Sequence, residues 1–187
     1  MNSNTVAQGI YTFVEGGEYT YFENCEFYKS TDLNETTASE FVLNGDSAKF
    51  VDCTFGSLAD LQVGDIIRAN VRLTKEIAGT GKVMRDGYME NCLFWKRSGG
   101  ITSAFIYSAA DADVERMLIL KDCSFVNAKN STAVPAQAVA GAATFTVGGI
   151  LLKNCSGFNV TKLSTTIGVL VDGAAPNSGT GIAVNAA

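Results

Sequence analysis

Five cysteines, Cys25, Cys53, Cys92, Cys123 and Cys155, are the residues of this 187-residue chain with the widest chemical range. A thiol can serve as a nucleophile, as half of a disulfide or as a soft-metal ligand. Their setting argues against each role. The number is odd, no Cys-x-x-Cys pair occurs, and the chain has no histidine, the usual activator of a cysteine nucleophile and a frequent companion on zinc. They read instead as small hydrophobes in a packed interior, unpaired and reduced.

Carboxylates are the second candidate, because paired Asp or Glu residues carry out glycoside hydrolysis. Asp111-Ala-Asp113, with Glu115 and Arg116, is the densest acidic cluster, and it falls between two strand-like segments, where a solvated loop is expected. Glu18, Glu23, Glu26 and Glu90 flank the cysteines at outward positions. Lys75, Lys82, Arg85, Lys96 and Arg97 gather around Gly79-Thr-Gly81 without the spacing of a phosphate-binding loop, so this stretch reads as an insertion that could dock an acidic neighbour. No catalytic, cofactor-binding or metal-binding residue is assigned.

Composition narrows the function classes. Lys and Arg number 14 against 19 Asp and Glu, for a net charge of −5, which disfavours a phosphate-binding surface and hence nucleic acid as a partner. The N-terminus shows no secretory leader, and no apolar run is long enough to cross a bilayer, so synthesis in the cytoplasm with no membrane partner is expected. With 47% hydrophobic residues the chain can build a sizeable core.

The elements that position the cysteines follow from their surroundings. Phe22-Glu-Asn-Cys25-Glu-Phe27, Phe50-Val-Asp-Cys53-Thr-Phe55, Met89-Glu-Asn-Cys92-Leu-Phe94, Leu120-Lys-Asp-Cys123-Ser-Phe125 and Leu152-Lys-Asn-Cys155-Ser-Gly-Phe158 share one pattern, with one slipped residue in the last copy, at intervals of 28, 39, 31 and 32 residues. Such intervals mark a repeat architecture. Helical periodicity is missing, whereas short segments rich in Val, Ile, Phe, Tyr and Thr recur: 41–43, 66–73, 104–107, 144–147 and 168–171. Apolar positions at −3, 0 and +2 from each Cys break strict alternation once. The residue at −1 is always Asn or Asp, types that tolerate a left-handed backbone, so a bend is expected there. The expected fold is all-β: a right-handed parallel β-helix of about five rungs, one domain over 1–187, with a protruding insertion at about 60–87 and a C-terminal tail at 173–187. Asn24, Asp52, Asn91, Asp122 and Asn154 then form a polar ladder, the five cysteines a buried sulfur ladder, and the following Phe residues an aromatic stack. The uncharged segment 132–150 and the tail are expected to cover an end or meet another subunit.

The run Gly168-Val-Leu-Val-Asp-Gly-Ala-Ala-Pro176, followed by Gly179-Thr-Gly-Ile-Ala-Val-Asn185, resembles, together with the Tyr-Phe-Glu-Asn-Cys and Leu-Leu-Lys-Asn-Cys rungs, the C-terminal part of β-helix virion proteins of tailed bacteriophages. The resemblance implies a non-enzymatic structural protein without cofactors. It would be a capsid decoration or cement protein on the virion surface, with the major capsid protein as partner and self-association as a homotrimer. A tail spike or fibre module acting on host glycan is the alternative.

Overall fold

A computed structural model describes residues 11–15, 18–28, 39–43, 45–56, 69–74, 84–97, 104–109, 112, 114–128, 135–142, 148–166 and 168–172. These residues are all-β, with no helix among them. The strands fall into three sheets that the chain visits in rotation. Sheet one holds β1 (Tyr11–Glu15), β4 (Ser39–Leu43), β7 (Ala69–Leu73), β10 (Ile106–Ser108) and β13 (Val139–Gly141). Sheet two holds β2 (Tyr21–Glu23), β5 (Ala48–Val51), β8 (Met84–Glu90), β11 (Val114–Lys121), β14 (Gly149–Lys153) and β16 (Val169–Asp172). Sheet three holds β3 (Glu26–Phe27), β6 (Thr54–Phe55), β9 (Leu93–Lys96), β12 (Ser124–Asn127) and β15 (Ser156–Phe158).

Every strand pair is parallel, and each strand sits beside its counterpart from the neighbouring repeat. Like residues therefore stack. In sheet two the inward column runs Phe22, Phe50, Met89, Leu120, Leu152 and Val171. Phe41 of sheet one, Phe50 of sheet two and Phe55 of sheet three meet with ring centroids 5.2 to 5.8 Å apart, so the sheets share one interior.

The aromatic stack is shorter than the sequence pattern implies. Phe27, Phe55, Phe94 and Phe125 follow one another at 5.1, 4.9 and 4.9 Å. In the last repeat Gly157 pairs with Phe125, and the extra residue turns Phe158 outward beside Val126. The expected protrusion at 60–87 also needs correction. Ala69–Leu73 is β7, paired with β4 and β10, and Met84–Gly87 belongs to β8, so these parts lie in the sheets. Residues 61–68 and 75–83 are outside the described residues, as are 144–147 and the tail 173–187. Within 132–150, Ala138, Val139 and Ile150 are buried in the protein's own core, which commits those side chains internally.

Candidate functional site

Two residues link each strand of sheet two to the following strand of sheet three: Asn24-Cys25, Asp52-Cys53, Asn91-Cys92, Asp122-Cys123 and Asn154-Cys155. The first of each pair is left-handed, with φ of 53°, 54°, 53°, 54° and 51°. Asn and Asp accept this conformation more readily than other side chains with a Cβ. The bend frees the backbone N–H to reach the next repeat. Asn24, Asp52, Asn91, Asp122 and Asn154 donate to the carbonyls of Val51, Glu90, Lys121, Lys153 and Asp172 at 2.7 to 3.1 Å.

Amides and carboxylates alternate along this column, Asn-Asp-Asn-Asp-Asn. Asn91 Nδ2 donates to Asp52 Oδ1 and Asn154 Nδ2 to Asp122 Oδ1, both at 2.6 Å. Each carboxylate thus faces a donor instead of a like charge. Asn91→Asp would place three carboxylates in succession on an exposed column, for a loss of about 0.2–1 kcal/mol at neutral pH from like-charge neighbours. Those carboxyls would bind protons more tightly folded than unfolded, so the penalty should shrink as pH falls through the carboxylate range. Urea melts of the variant and parent at neutral and acidic pH check this, and an equal deficit at both would refute it.

Behind the bend the five sulfurs form an inward column, all as free thiols. Cys53, Cys92, Cys123 and Cys155 are buried, whereas Cys25, at the end of the column, is half-buried; that corrects the expectation of five buried thiols. Each Sγ lies 3.3 to 3.6 Å from the carbonyl two residues before it. The last four also lie 3.4 to 3.8 Å from a carbonyl of the preceding repeat: Phe22, Phe50, Met89 and Leu120 respectively. A thiol has one proton, so these acceptors are alternatives. Contact with the Cys92 thiol, then burial, pushes Cys53 up; contacts with Cys155 and Cys92, then burial, push Cys123 up. Hydrogen bonds from Cys123 and Cys53 favour any anion on Cys92. A thiol-exchange reagent should therefore find one rapidly reacting group in the native protein, Cys25, and four that appear only on unfolding. Several fast thiols by stopped-flow absorbance would contradict this packing.

The outer face of sheet two carries the charges. Lys121 Nζ donates to Glu90 Oε1 at 2.5 Å; this bond is the leading cause that holds the Glu90 carboxyl below its ordinary range and raises the Lys121 ammonium. Arg85 pairs with Glu115 at 3.1 Å and Arg116 with Asp86 at 2.7 Å. The two arginine bridges are solvent-exposed, whereas Lys121–Glu90 is half-buried. Glu18, Glu23 and Glu26 are exposed on the first repeat. Asp111, Asp113, Lys75 and Lys82 lie outside the described residues.

The sequence reading missed a polar corner where sheet three turns towards sheet one. Lys96 is fully buried, with Nζ donating to the Ala104 carbonyl at 2.7 Å and lying 5.2 Å from the Phe105 ring centre. Asn127 is its neighbour in register, and Asn159 Nδ2 donates to the Asn127 carbonyl at 3.1 Å. Asn70 Nδ2 donates to the Phe55 and Trp95 carbonyls at 3.2 and 2.7 Å. A signal existed: the fourth residue after every cysteine is polar, namely Lys29, Ser57, Lys96, Asn127 and Asn159. Among the described residues no group of three or more His, Cys, Asp or Glu side chains is placed to hold a metal ion.

No protein-family model matches the chain. It is 29% identical over 145 residues to the Lon protease of Neorickettsia sennetsu, a stretch that covers 75% of this chain and 16% of that protein. The chain thus spans about a sixth of the relative's length. No solved structure matches.

Proposed function

We propose that the three sheets wrap their shared interior as a right-handed parallel β-helix, and that the protein is a non-enzymatic structural component of a tailed-phage virion. Handedness is supported by the rotation of consecutive strands through three parallel sheets, because crossovers between parallel strands of one sheet are right-handed in about 98% of cases. The role proposed is that of a capsid decoration or cement protein, held on the capsid lattice as an oligomer, a homotrimer on the sequence reading, with the major capsid protein as partner.

The observation that carries this reading is the in-register stacking of like residues from repeat to repeat, with one irregularity between Val114 and Met117 and a one-residue slip at Gly157. Among the described residues, amides and carboxylates bond each other along the bend, four of the thiols are buried in the interior, and Arg85, Arg116 and Lys121 each face a carboxylate on the neighbouring strand. Such a body is a stiff surface element. The similarity of the C-terminal run to phage β-helix virion proteins supplies the setting. Lon's peptidase name belongs to a protein that is mostly outside the matched stretch, and nothing in the columns favours carrying it over.

Copy number tests the proposal. Quantitative mass spectrometry of purified particles should find the chain at hundreds of copies per virion, as a capsid lattice requires. A few tens at most would place it in a tail and favour the spike or fibre reading. Sustained release of reducing ends from host capsule or lipopolysaccharide, abolished by Asp111→Ala or Asp113→Ala, would overturn the non-enzymatic role.

A further inference from the structure

The five sulfurs form a cluster of metal-ligand side chains that the proposed role does not use. Strand register sets each cysteine beside the next, because the residues on both sides of every pair are themselves paired: Glu23 with Val51 and Glu26 with Thr54 around Cys25 and Cys53, Lys121 with Lys153 and Ser124 with Ser156 around Cys123 and Cys155. The two pairs between them, Cys53 with Cys92 and Cys92 with Cys123, are flanked in the same way. The Cys92 thiol touches those of Cys53 and Cys123, and the Cys123 thiol also touches that of Cys155.

Spacing decides what can bridge two neighbours. Two residues beyond the cysteines, the rings of Phe27, Phe55, Phe94 and Phe125 repeat at 4.9 to 5.1 Å, which measures the rise from one repeat to the next. A disulfide draws the two Cβ atoms to about 3.5–4.5 Å, so it would pull adjacent strands off that rise. A metal ion held in line by two sulfurs needs them about 4.6 Å apart, twice a metal–thiolate bond of about 2.3 Å. The rise of the column suits the ion.

Coordination number and charge narrow the choice of ion. Zinc takes four ligands in a tetrahedron, and among the described residues no group of three or more His, Cys, Asp or Glu is placed to share one ion. A monovalent soft cation, copper(I) or silver(I), is satisfied by two sulfurs in line. It also replaces one thiol proton, charge for charge, so the interior gains none. Each sulfur lies 3.3 to 3.6 Å from the carbonyl oxygen two residues before it, and four lie 3.4 to 3.8 Å from another in the preceding repeat. Carbonyl oxygens disfavour a bare thiolate and favour a cation, so the surroundings that keep the thiols protonated also suit the metal.

We infer that the sulfur column is a binding site for monovalent soft cations, one in each interval between neighbouring cysteines, with the half-buried Cys25 as its opening to solvent. This site goes beyond the virion role and does not depend on it. Five sulfurs leave four intervals, and an interior sulfur serves two of them whereas an end sulfur serves one.

Native mass spectrometry of the folded chain, equilibrated with silver(I) in chloride-free buffer, counts the ions directly. The parent should hold four, one per interval. Cys155→Ala, at an end, should hold three, and Cys92→Ala, in the middle, two, because it breaks both of its intervals. Far-UV circular dichroism checks each fold before titration, and Cys123→Ala supplies the interior result if Cys92→Ala does not fold. Five ions on the parent, or one ion lost from end and interior variants alike, would mean five independent thiols and overturn the inference. A folded parent that takes up no silver, or takes up zinc in equal number, would overturn it as well. None of these counts bears on copy number per particle, so the two proposals fail separately.

Discussion

Phe94→Ala should cost about 3–5 kcal/mol of folding free energy, the range for truncating a fully buried aromatic side chain. Phe94 is completely buried, with its ring stacked 4.9 Å from Phe55 on one side and 4.9 Å from Phe125 on the other, interplanar angles being 9° and 20°. Removing it opens a gap in the middle of the stack and strips two further rings of a face-on neighbour. The interior is held by strands on three sides, so collapse into the gap would require whole repeats to move. Against a typical total of about 5–15 kcal/mol, the loss leaves a marginal protein. Equilibrium urea unfolding is the measurement, with the midpoint expected to fall sharply. A loss below about 1 kcal/mol, the scale of a surface substitution, would mean that the stack does not support the fold.

Gly56→Ala should be comparably damaging for a different reason. Gly56 follows β6 with φ of +94°, and a Cβ placed there would lie 2.1 Å from the Trp95 carbonyl oxygen and 2.7 Å from Asn70 Nδ2. The nearest of these is backbone of the adjacent strand, so no flexible side chain can yield. The positive φ adds about 1–2 kcal/mol for a residue with a Cβ, and over-packing adds about 1–3 kcal/mol more. The clash also presses on Asn70, whose side chain joins the Phe55 and Trp95 carbonyls at the polar corner. Thermal unfolding should drop by many degrees, with loss of the protection of the Gly56 N–H, which bonds the Phe27 carbonyl at 2.8 Å. An alanine variant as stable as the parent in a denaturant titration would show that this crossing is looser than the geometry states.

The bends differ in how openly the sequence announces them. The Asn or Asp before every cysteine marks the sheet two to sheet three bend, because few other residues with a Cβ rest comfortably at the φ of 51° to 54° found there. Tyr19 and Ser47 occupy the equivalent place between sheets one and two, at φ of 57° and 56°, and neither type signals it. They are held by partners distant in sequence: Tyr19 N–H bonds the Asp46 carbonyl and Ser47 N–H the Asp86 carbonyl, at 3.0 and 2.8 Å. Lys96 illustrates the same limit. A lysine is ordinarily placed on a surface, and only the register that sets it beside Asn127 and within reach of the Ala104 carbonyl turns it inward.

By itself the sequence determined the repeat, the β class and the composition of the stacked columns, because those follow from residue type at fixed spacing: Asn or Asp at the bend, Cys inside, Phe two residues on in the first four repeats and three in the last, where the extra Gly157 announces that Phe158 leaves the stack. Tertiary structure decided what depends on distance across repeats. It committed Val139 and Ile150 to the core, drew β7 and the start of β8 into the sheets, and left Cys25, at the end of the sulfur column, half-buried. The physical reason is common to these. A parallel strand's environment is set by the strands above and below it, roughly thirty residues away in sequence, and local pattern carries no record of what those strands place against it.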